Sequence, residues 1–288
     1  MPKASHRLIL PQRVDTSVVF ASPHSGRQYP RSFLARAMLG HLAVRSSEDA
    51  FVDRLFDAAT ARGAPLLLAD APRAFVDLNR AATELDPSLI EGVRRAPNNP
   101  RVTSGLGVIP RVVSNGRPIY RGKIPLAEAE ARIADCWHPY HTALQGLLDD
   151  ARRTFRQAIL IDCHSMPHEA IENVGTGFGG RPDVVLGDRF GAAAAPWVTS
   201  AVQDAFQRAG LRVARNAPFA GAYITQHYGR PSRRQHVVQV ELDRALYMDE
   251  TTIEPTADFA AFKRLIDGVV AELADIGRAS PALPVAAE

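Results

Sequence analysis

Gln157-Ala-Ile-Leu-Ile-Asp-Cys-His164-Ser-Met-Pro167 is the stretch from which the fold is read. The apolar run Ala158 to Ile161 reads as a buried strand, with Asp162, Cys163 and His164 sitting where it ends. Far upstream, Ser17-Val-Val-Phe-Ala-Ser-Pro-His24-Ser-Gly26 repeats the design: a β-branched and aromatic run feeds a histidine and then small turn residues. In open α/β sheets ligands bind outside the carboxyl ends of the strands. Two strand-end histidines distant in sequence can therefore converge, and a metal site is the first expectation.

Working outward, further strands are expected at Leu66 to Ala69, Ala74 to Arg80, Val184 to Leu186, Leu211 to Ala214 and His236 to Leu242. Helices are expected at Arg31 to Leu39, at Ala192 to Ala209 with Gly210 as its stop, and at Phe259 to Gly277. Ser46-Ser47 before Glu48-Asp49 reads as a helix start, and Phe51, Val52, Leu55, Phe56 and Ala59 follow at helical spacing up to Gly63 and Pro65. Leu126 to Phe155 reads as a long helical segment interrupted by Pro139, packing through Ile133, Trp137, Leu144 and Leu148. Thr83 to Gly122, rich in Pro and Gly, reads as a long irregular excursion, and loops of that length are usually functional or disordered. A glycine-rich loop follows His164 (Gly175, Gly177, Gly179, Gly180), Gly221 to Pro231 is a turn-bounded polar-aromatic segment, and Ser280 to Glu288 reads as a frayed tail. Strands alternating with helices make the chain α/β, and with no repeat or linker the expectation is one domain over residues 1–288.

The composition, 46% hydrophobic and 23% charged, is that of a soluble globular protein. The sequence pI is about 9.1 but the formal net charge is only +3, so a site for a small acidic substrate explains the basicity and nucleic acid is not expected as a partner. Cys136 and Cys163 are too few for a disulfide framework, and Cys163 beside His164 reads as a small residue in the sheet packing. Met1 to Gln12 lacks a secretory pattern, and no stretch approaches the roughly 18 apolar residues of a membrane span; the expected location is the cytoplasm.

His24 and His164 suit zinc through neutral imidazole nitrogens, with a carboxylate from Glu48, Asp49 or Asp53 as third ligand. The alternative use of Glu48 and Asp49 is helix capping. Glu241 lies inside the apolar run Val237-Val-Gln-Val-Glu-Leu, where burial raises a carboxyl pKa toward that of a general base; the alternative is a partner for Arg230, Arg233, Arg234 or Arg244. Asp77-Leu-Asn79-Arg80 supplies a fork for a carboxylate and an amide that can donate and accept.

Five pieces carry a resemblance: Ser-Pro-His24-Ser-Gly, Phe75-Val-Asp-Leu-Asn-Arg80, Asp162-Cys-His164-Ser, Gly221-Ala-Tyr-Ile-Thr-Gln-His-Tyr-Gly-Arg-Pro231, and Gln239-Val-Glu-Leu-Asp-Arg-Ala-Leu-Tyr-Met-Asp-Glu250. In this order, over about residues 15 to 275, the chain resembles the N-formylglutamate amidohydrolase family, itself similar to zinc carboxypeptidases and aspartoacylase-type deacylases. The resemblance implies a mixed sheet flanked by helices of the zinc-carboxypeptidase (phosphorylase/hydrolase-like) kind, one zinc ion, and hydrolysis of N-formyl-L-glutamate or another acidic N-acyl amino acid. It implies His24, Asp49 and His164 as metal ligands and Glu241 as general base. Asn79 and Arg80 then become substrate-carboxylate contacts, helped by Arg230, Arg117 or Arg121, and Tyr223, Thr225 and His227 line the pocket. Aspartoacylase-type enzymes take a ligand three residues after the first histidine; here Arg27 stands there and cannot ligate, and the family pattern points to Asp49 instead. A related deacylase or carboxypeptidase, or a homologue that binds without turnover, is the alternative.

Overall fold

The computed structural model describes residues 5–94, 99–113, 115–172, 174 and 180–278. Its centre is a seven-stranded mixed sheet built from β1 (His6–Ile9), β2 (Val18–Ser22), β3 (Leu66–Ala69), β4 (Ala158–Met166), β5 (Val184–Gly187), β6 (Val213–Arg215) and β7 (Gln235–Asp243). The spatial order is β1-β3-β2-β4-β7-β5-β6. The run β3-β2-β4-β7 is parallel, β1 joins β3 antiparallel, and β5 joins β7 antiparallel with β6 parallel beside it. The α/β expectation of a mixed sheet flanked by helices is met.

Both faces of the sheet are covered, as the near-continuous apolar runs require. On one face Phe20, Ile161, Cys163 and Val240 pack with Phe206 of the Pro196–Arg208 helix and Ile266 and Val270 of the Phe259–Ile276 helix. On the other, Val19, Leu160 and Val237 pack with Tyr140, Leu144 and Leu148 of the His138–Phe155 helix. Each fully buried Leu, Ile or Phe side chain stabilises the fold by about 1.5–3 kcal/mol.

Several expectations change. The strand that carries His164 does not end there but continues to Met166, because its polar residues find ladder partners in β7. Ala74 to Arg80 makes no strand: Phe75 and Val76 N–H bond to Pro72 O, Asp77 N–H to Val108 O, and Asn79 N–H to the Asp77 side chain, so turn bonds replace a ladder. The segment after Phe51 breaks into Val52–Leu55 and a 3-10 turn at Asp57–Arg62, although Val52, Leu55, Phe56 and Ala59 are all buried as their spacing demands. Glu48 and Asp49 do not cap it; they lie outside the helix, whose own cap is Phe51 at φ 66°.

Leu126 to Phe155 runs on past Pro139 through a π turn at Ile133–Trp137, the widening expected where a proline cannot donate to the preceding turn. Within the turn-bounded Gly221 to Pro231 segment, Tyr223–Tyr228 is helical, and the helix expected from Ala192 starts only at Pro196. Strand β1 was not anticipated. Gly175, Gly177, Gly179 and the tail from Ser280 lie outside the described residues. Among the described residues no helix is long and apolar enough to cross a membrane.

Candidate metal centre and active site

The site is placed by strand parity. Successive residues of a strand face opposite sides of a sheet. His164 shares its face with Leu160, Glu241 shares the same face with Val237, and the two are paired directly across β4 and β7. Cys163, one residue away, belongs to the opposite core, so the sheet itself excludes it from the site. His24 arrives two residues past β2, the parallel neighbour of β4. Asp49 arrives through the turn before Phe51, and its backbone N–H bonds to His24 O at 3.0 Å.

His24, Asp49 and His164 are all buried, and one ligand-type atom from each lies within 4.8 Å of the others. Asp49 Oδ2 is 2.8 Å from His164 Nδ1 and 3.4 Å from His24 Nδ1, with the two ring centroids 4.8 Å apart. The fit to a cation rests on the remaining atoms. His24 Nε2 donates to Asp77 Oδ1 at 2.7 Å, which leaves Nδ1 as a buried lone pair without a hydrogen bond. His164 Nε2 lies 3.1 Å from Asp162 Oδ2 and 3.2 Å from Asn79 Nδ2, and the buried Asp162 carboxylate has no hydrogen bond among the described residues. Both imidazoles turn Nδ1 toward Asp49 Oδ2 and have a carboxylate near Nε2, Asp77 for His24 and Asp162 for His164, the arrangement that orients metal-ligating histidines. Two nitrogens and one carboxylate oxygen suit a zinc-type cation with positions left open.

The electrostatics agree. Burial works against charge on His164, yet Asp162 and Asp49 outweigh it and hold its pKa well above the usual value. Burial likewise opposes ionisation of Asp49, and His164 and His24 beside it still hold its carboxyl well below the usual range. The pocket is thus built to contain positive charge. Glu241 shows the opposite balance: burial, helped by Asp49 and opposed by His164 and Arg73, pushes its carboxyl up to about 7. Its Oε1 accepts from Gln239 Nε2 at 2.8 Å, and Gln239 Oε1 accepts the Ala222 N–H.

Of the three candidate carboxylates, only Asp49 reaches the histidines. Glu48 is engaged by Arg45 and Tyr29, and Asp53 pairs with Arg27 at 2.9 Å. Asn79 is part of the cluster: Nδ2 lies 3.2 Å from His164 Nε2 and Oδ1 accepts the Ile224 N–H. Arg80 is 6% exposed, its Nε bonded to Leu106 O and one terminal nitrogen to Asn79 O, with no carboxylate in ion-pair reach among the described residues. Tyr223 and His227 stack at 5.0 Å with the Tyr223 ring edging toward Trp137 and His141. Thr225 turns inward: it is fully buried and its hydroxyl donates to Ala222 O, a structural bond within the turn. Arg230, Arg117 and Arg121 are exposed, and Arg230 bonds to the carbonyls of Gln226 and Gly229.

Three groups carry weight that residue-by-residue reading missed. Asp77 stands behind His24, Arg244 behind Asp49, and Arg73 bonds to Asp77 Oδ2 through Nε while its charge bears on Asp49 and Glu241. Asp77 lies inside the quoted Phe75-Val-Asp-Leu-Asn-Arg80 stretch and Arg73 two residues before it, and the polar residues of that stretch were the available signal. Cavity size does not find this site. A cavity of about 1160 Å³ among the described residues lies against Tyr29, Phe33, Arg36 and Arg132, and none of His24, Asp49, His164 or Glu241 is in its wall.

Comparison with known proteins follows the same lines. A family model described as N-formylglutamate amidohydrolase matches residues 16–248. The chain is 32% identical over 241 residues to an N-formylglutamate deformylase of Pseudomonas aeruginosa, covering 81% of this chain and 82% of that one. It is 34% identical over 211 residues to an N-formylglutamate deformylase of Pseudomonas putida, covering 70% and 71%. The crystal structure of N-formylglutamate amidohydrolase from Ralstonia eutropha superposes with a TM-score of 0.88 at 33% identity, over 96% of this chain and 99% of that one.

Proposed function

This chain belongs to the N-formylglutamate amidohydrolase family, and on that footing we propose that it is a metal-dependent amidohydrolase that converts N-formyl-L-glutamate and water to L-glutamate and formate. The observation that carries the reading is the pairing of Glu241 with His164 across β4 and β7, which sets a raised-pKa carboxyl on the same sheet face as the His24–Asp49–His164 cluster. His24, Asp49 and His164 would hold one zinc ion, which supplies Lewis acidity to the formyl carbonyl and to the attacking water.

Glu241 accepts a proton from that water and returns it to the amide nitrogen as the C–N bond breaks, so the amine departs neutral and formic acid is left, which releases its proton to solvent as formate. A carboxyl whose pKa lies near neutrality can do both. Arg80 anchors a glutamate carboxylate. Among the described residues the buried guanidinium bonds to carbonyls and has no direct carboxylate partner, and a carboxylate in a bidentate contact would satisfy it. Asn79, whose oxygen is held by Ile224, adds a fixed amide beside it, and Tyr223 and His227 form the aromatic wall.

The test is formate release from N-formyl-L-glutamate by the purified protein, before and after chelation and with zinc restored. Release that falls on chelation and returns with zinc supports the proposal. Release indifferent to chelation rejects the metal. No release from a protein that binds one zinc discards the substrate in favour of another N-acyl amino acid. Glu241→Gln, which keeps shape and loses basicity, is expected to lower turnover by orders of magnitude with metal content unchanged; normal turnover removes Glu241 as the base.

A further inference from the structure

Arg244 is the first residue after β7 and is 4% exposed, although arginine is rarely buried without a purpose that its hydrogen bonds reveal. Its guanidinium ties together three segments that are distant in sequence. One terminal nitrogen donates to Asp49 Oδ1 at 3.0 Å, Nε donates to Ser165 Oγ at 3.1 Å, and the other terminal nitrogen donates to Ser46 O at 3.3 Å. Glu250 lies 3.9 Å away on the side remote from Asp49. A lysine, with one compact nitrogen, does not span such a set.

The consequence concerns how Asp49 presents itself. Its two oxygens are divided: Oδ1 belongs to Arg244, and Oδ2 alone faces His164 Nδ1 and His24 Nδ1. A carboxylate free of such a bond can rotate to offer both oxygens to one cation. With Oδ1 pinned, rotation breaks a charge-assisted hydrogen bond in a buried site. The bond to Arg244 is not explained as simple neutralisation, because a fixed cation beside a metal ligand weakens attraction for a second positive charge. Its specific effect is directional.

The geometry points to Arg244 as the positioning residue that leaves only one Asp49 oxygen for a cation, so that an ion held there would keep positions for water and the formyl carbonyl. The inference rests on Asp49 being a ligand. Its neighbours Ser165 and Ser46 make the constraint rigid, since the same guanidinium is anchored to β4 and to the loop that delivers Asp49.

The experiment replaces zinc by cobalt(II), whose visible absorption is strong in four-coordinate sites and falls as the coordination number rises. The proteins are wild type, Arg244→Met, Arg244→Lys and Asp49→Asn, each checked for fold by circular dichroism. The expected result is a marked drop in cobalt absorption for Arg244→Met, with kcat for N-formyl-L-glutamate down 10- to 100-fold, KM within about threefold of wild type, and an intermediate spectrum for Arg244→Lys. A merely structural role moves stability and leaves the cobalt spectrum of the folded fraction alone. If Arg244→Met does not fold, the lysine variant decides. A wild-type spectrum in every folded Arg244 variant overturns the inference. Asp49→Asn separates the two levels: unchanged cobalt stoichiometry and spectrum there reject Asp49 as a ligand, whereas loss of metal in Asp49→Asn with no effect at Arg244 rejects only the role of Arg244.

Discussion

Replacing Asp77 by Asn removes a charge and one acceptor and almost nothing of the side chain's shape, which makes it a sharp probe of the metal centre. Asp77 is 2% exposed. Its Oδ1 accepts from His24 Nε2 at 2.7 Å and from Asn79 N–H at 2.8 Å, and its Oδ2 accepts from Arg73 Nε at 3.1 Å. Burial opposes its ionisation, yet His24, Arg80 and Arg73 hold the carboxyl well below its ordinary range, so the anion is the form being replaced. An asparagine there has two orientations, and each breaks something. If its oxygen keeps His24, its NH2 group meets the Arg73 N–H donor to donor, and a charge-assisted bond of about 1.5–3 kcal/mol is lost. If the amide flips, its NH2 faces His24 Nε2, forces the proton onto Nδ1, and so occupies the lone pair that would bind the cation.

Second-layer losses of this kind typically cost 10- to 100-fold in metal affinity, roughly 1.4–2.7 kcal/mol. The assay is a chelator-competition titration of zinc on the purified variant, with urea unfolding alongside to establish that the protein is folded. A folded Asp77→Asn protein whose zinc dissociation constant stays within twofold of wild type refutes the reasoning.

Other consequences can be checked independently. Arg80→Ala should raise KM for N-formyl-L-glutamate at least tenfold more than for an analogue lacking the recognised carboxylate, by steady-state kinetics on both; equal changes contradict carboxylate recognition. Gly26→Ala should destabilise by about 1–3 kcal/mol in urea unfolding, because the new Cβ falls 2.1 Å from the Ala71 carbonyl oxygen, a backbone atom that cannot step aside. Wild-type stability there would mean the loop after His24 is looser than it stands. His141, bonded to Leu78 O and Tyr228 Oη, is pushed down to about 3 by burial, against a weaker upward pull from the Leu78 carbonyl. Its folded pKa lies below the unfolded value near 6.5, so the unfolded chain takes the proton first, and stability present above pH 6.5 is lost as pH falls toward 3. The loss should reach about 2 kcal/mol by pH 5. His141→Gln should show that much less decline between pH 7 and 5 in urea midpoints, and equal declines in both proteins would rule His141 out as the cause.

The sequence by itself determined the layers and much of the site. The runs ending in His24 and His164, and the run that contains Glu241, are strands because short β-branched and apolar stretches have few other ways to be buried. Period-two alternation then ordains that His164 and Glu241, not Cys163, share a face once β4 and β7 are neighbours. The Asp-Leu-Asn-Arg segment was legible as polar chemistry, though not as a turn, because its backbone bonds go to Pro72 and Val108, partners that no local pattern names. Spacing and composition left open which carboxylate meets the histidines; the resemblance pointed to Asp49, and the assembled fold is what brings it there. Glu48, Asp49 and Asp53 are equivalent acids in sequence, and they are sorted by Arg45, Arg244 and Arg27, which take Glu48, one oxygen of Asp49, and Asp53. Arg45 stands three residues before Glu48, but Arg27 is 26 residues from Asp53, and Arg244 comes from the end of β7, 195 residues from Asp49. A buried charge settles wherever its counter-charge and hydrogen bonds are complete, and completeness is a property of the assembled fold.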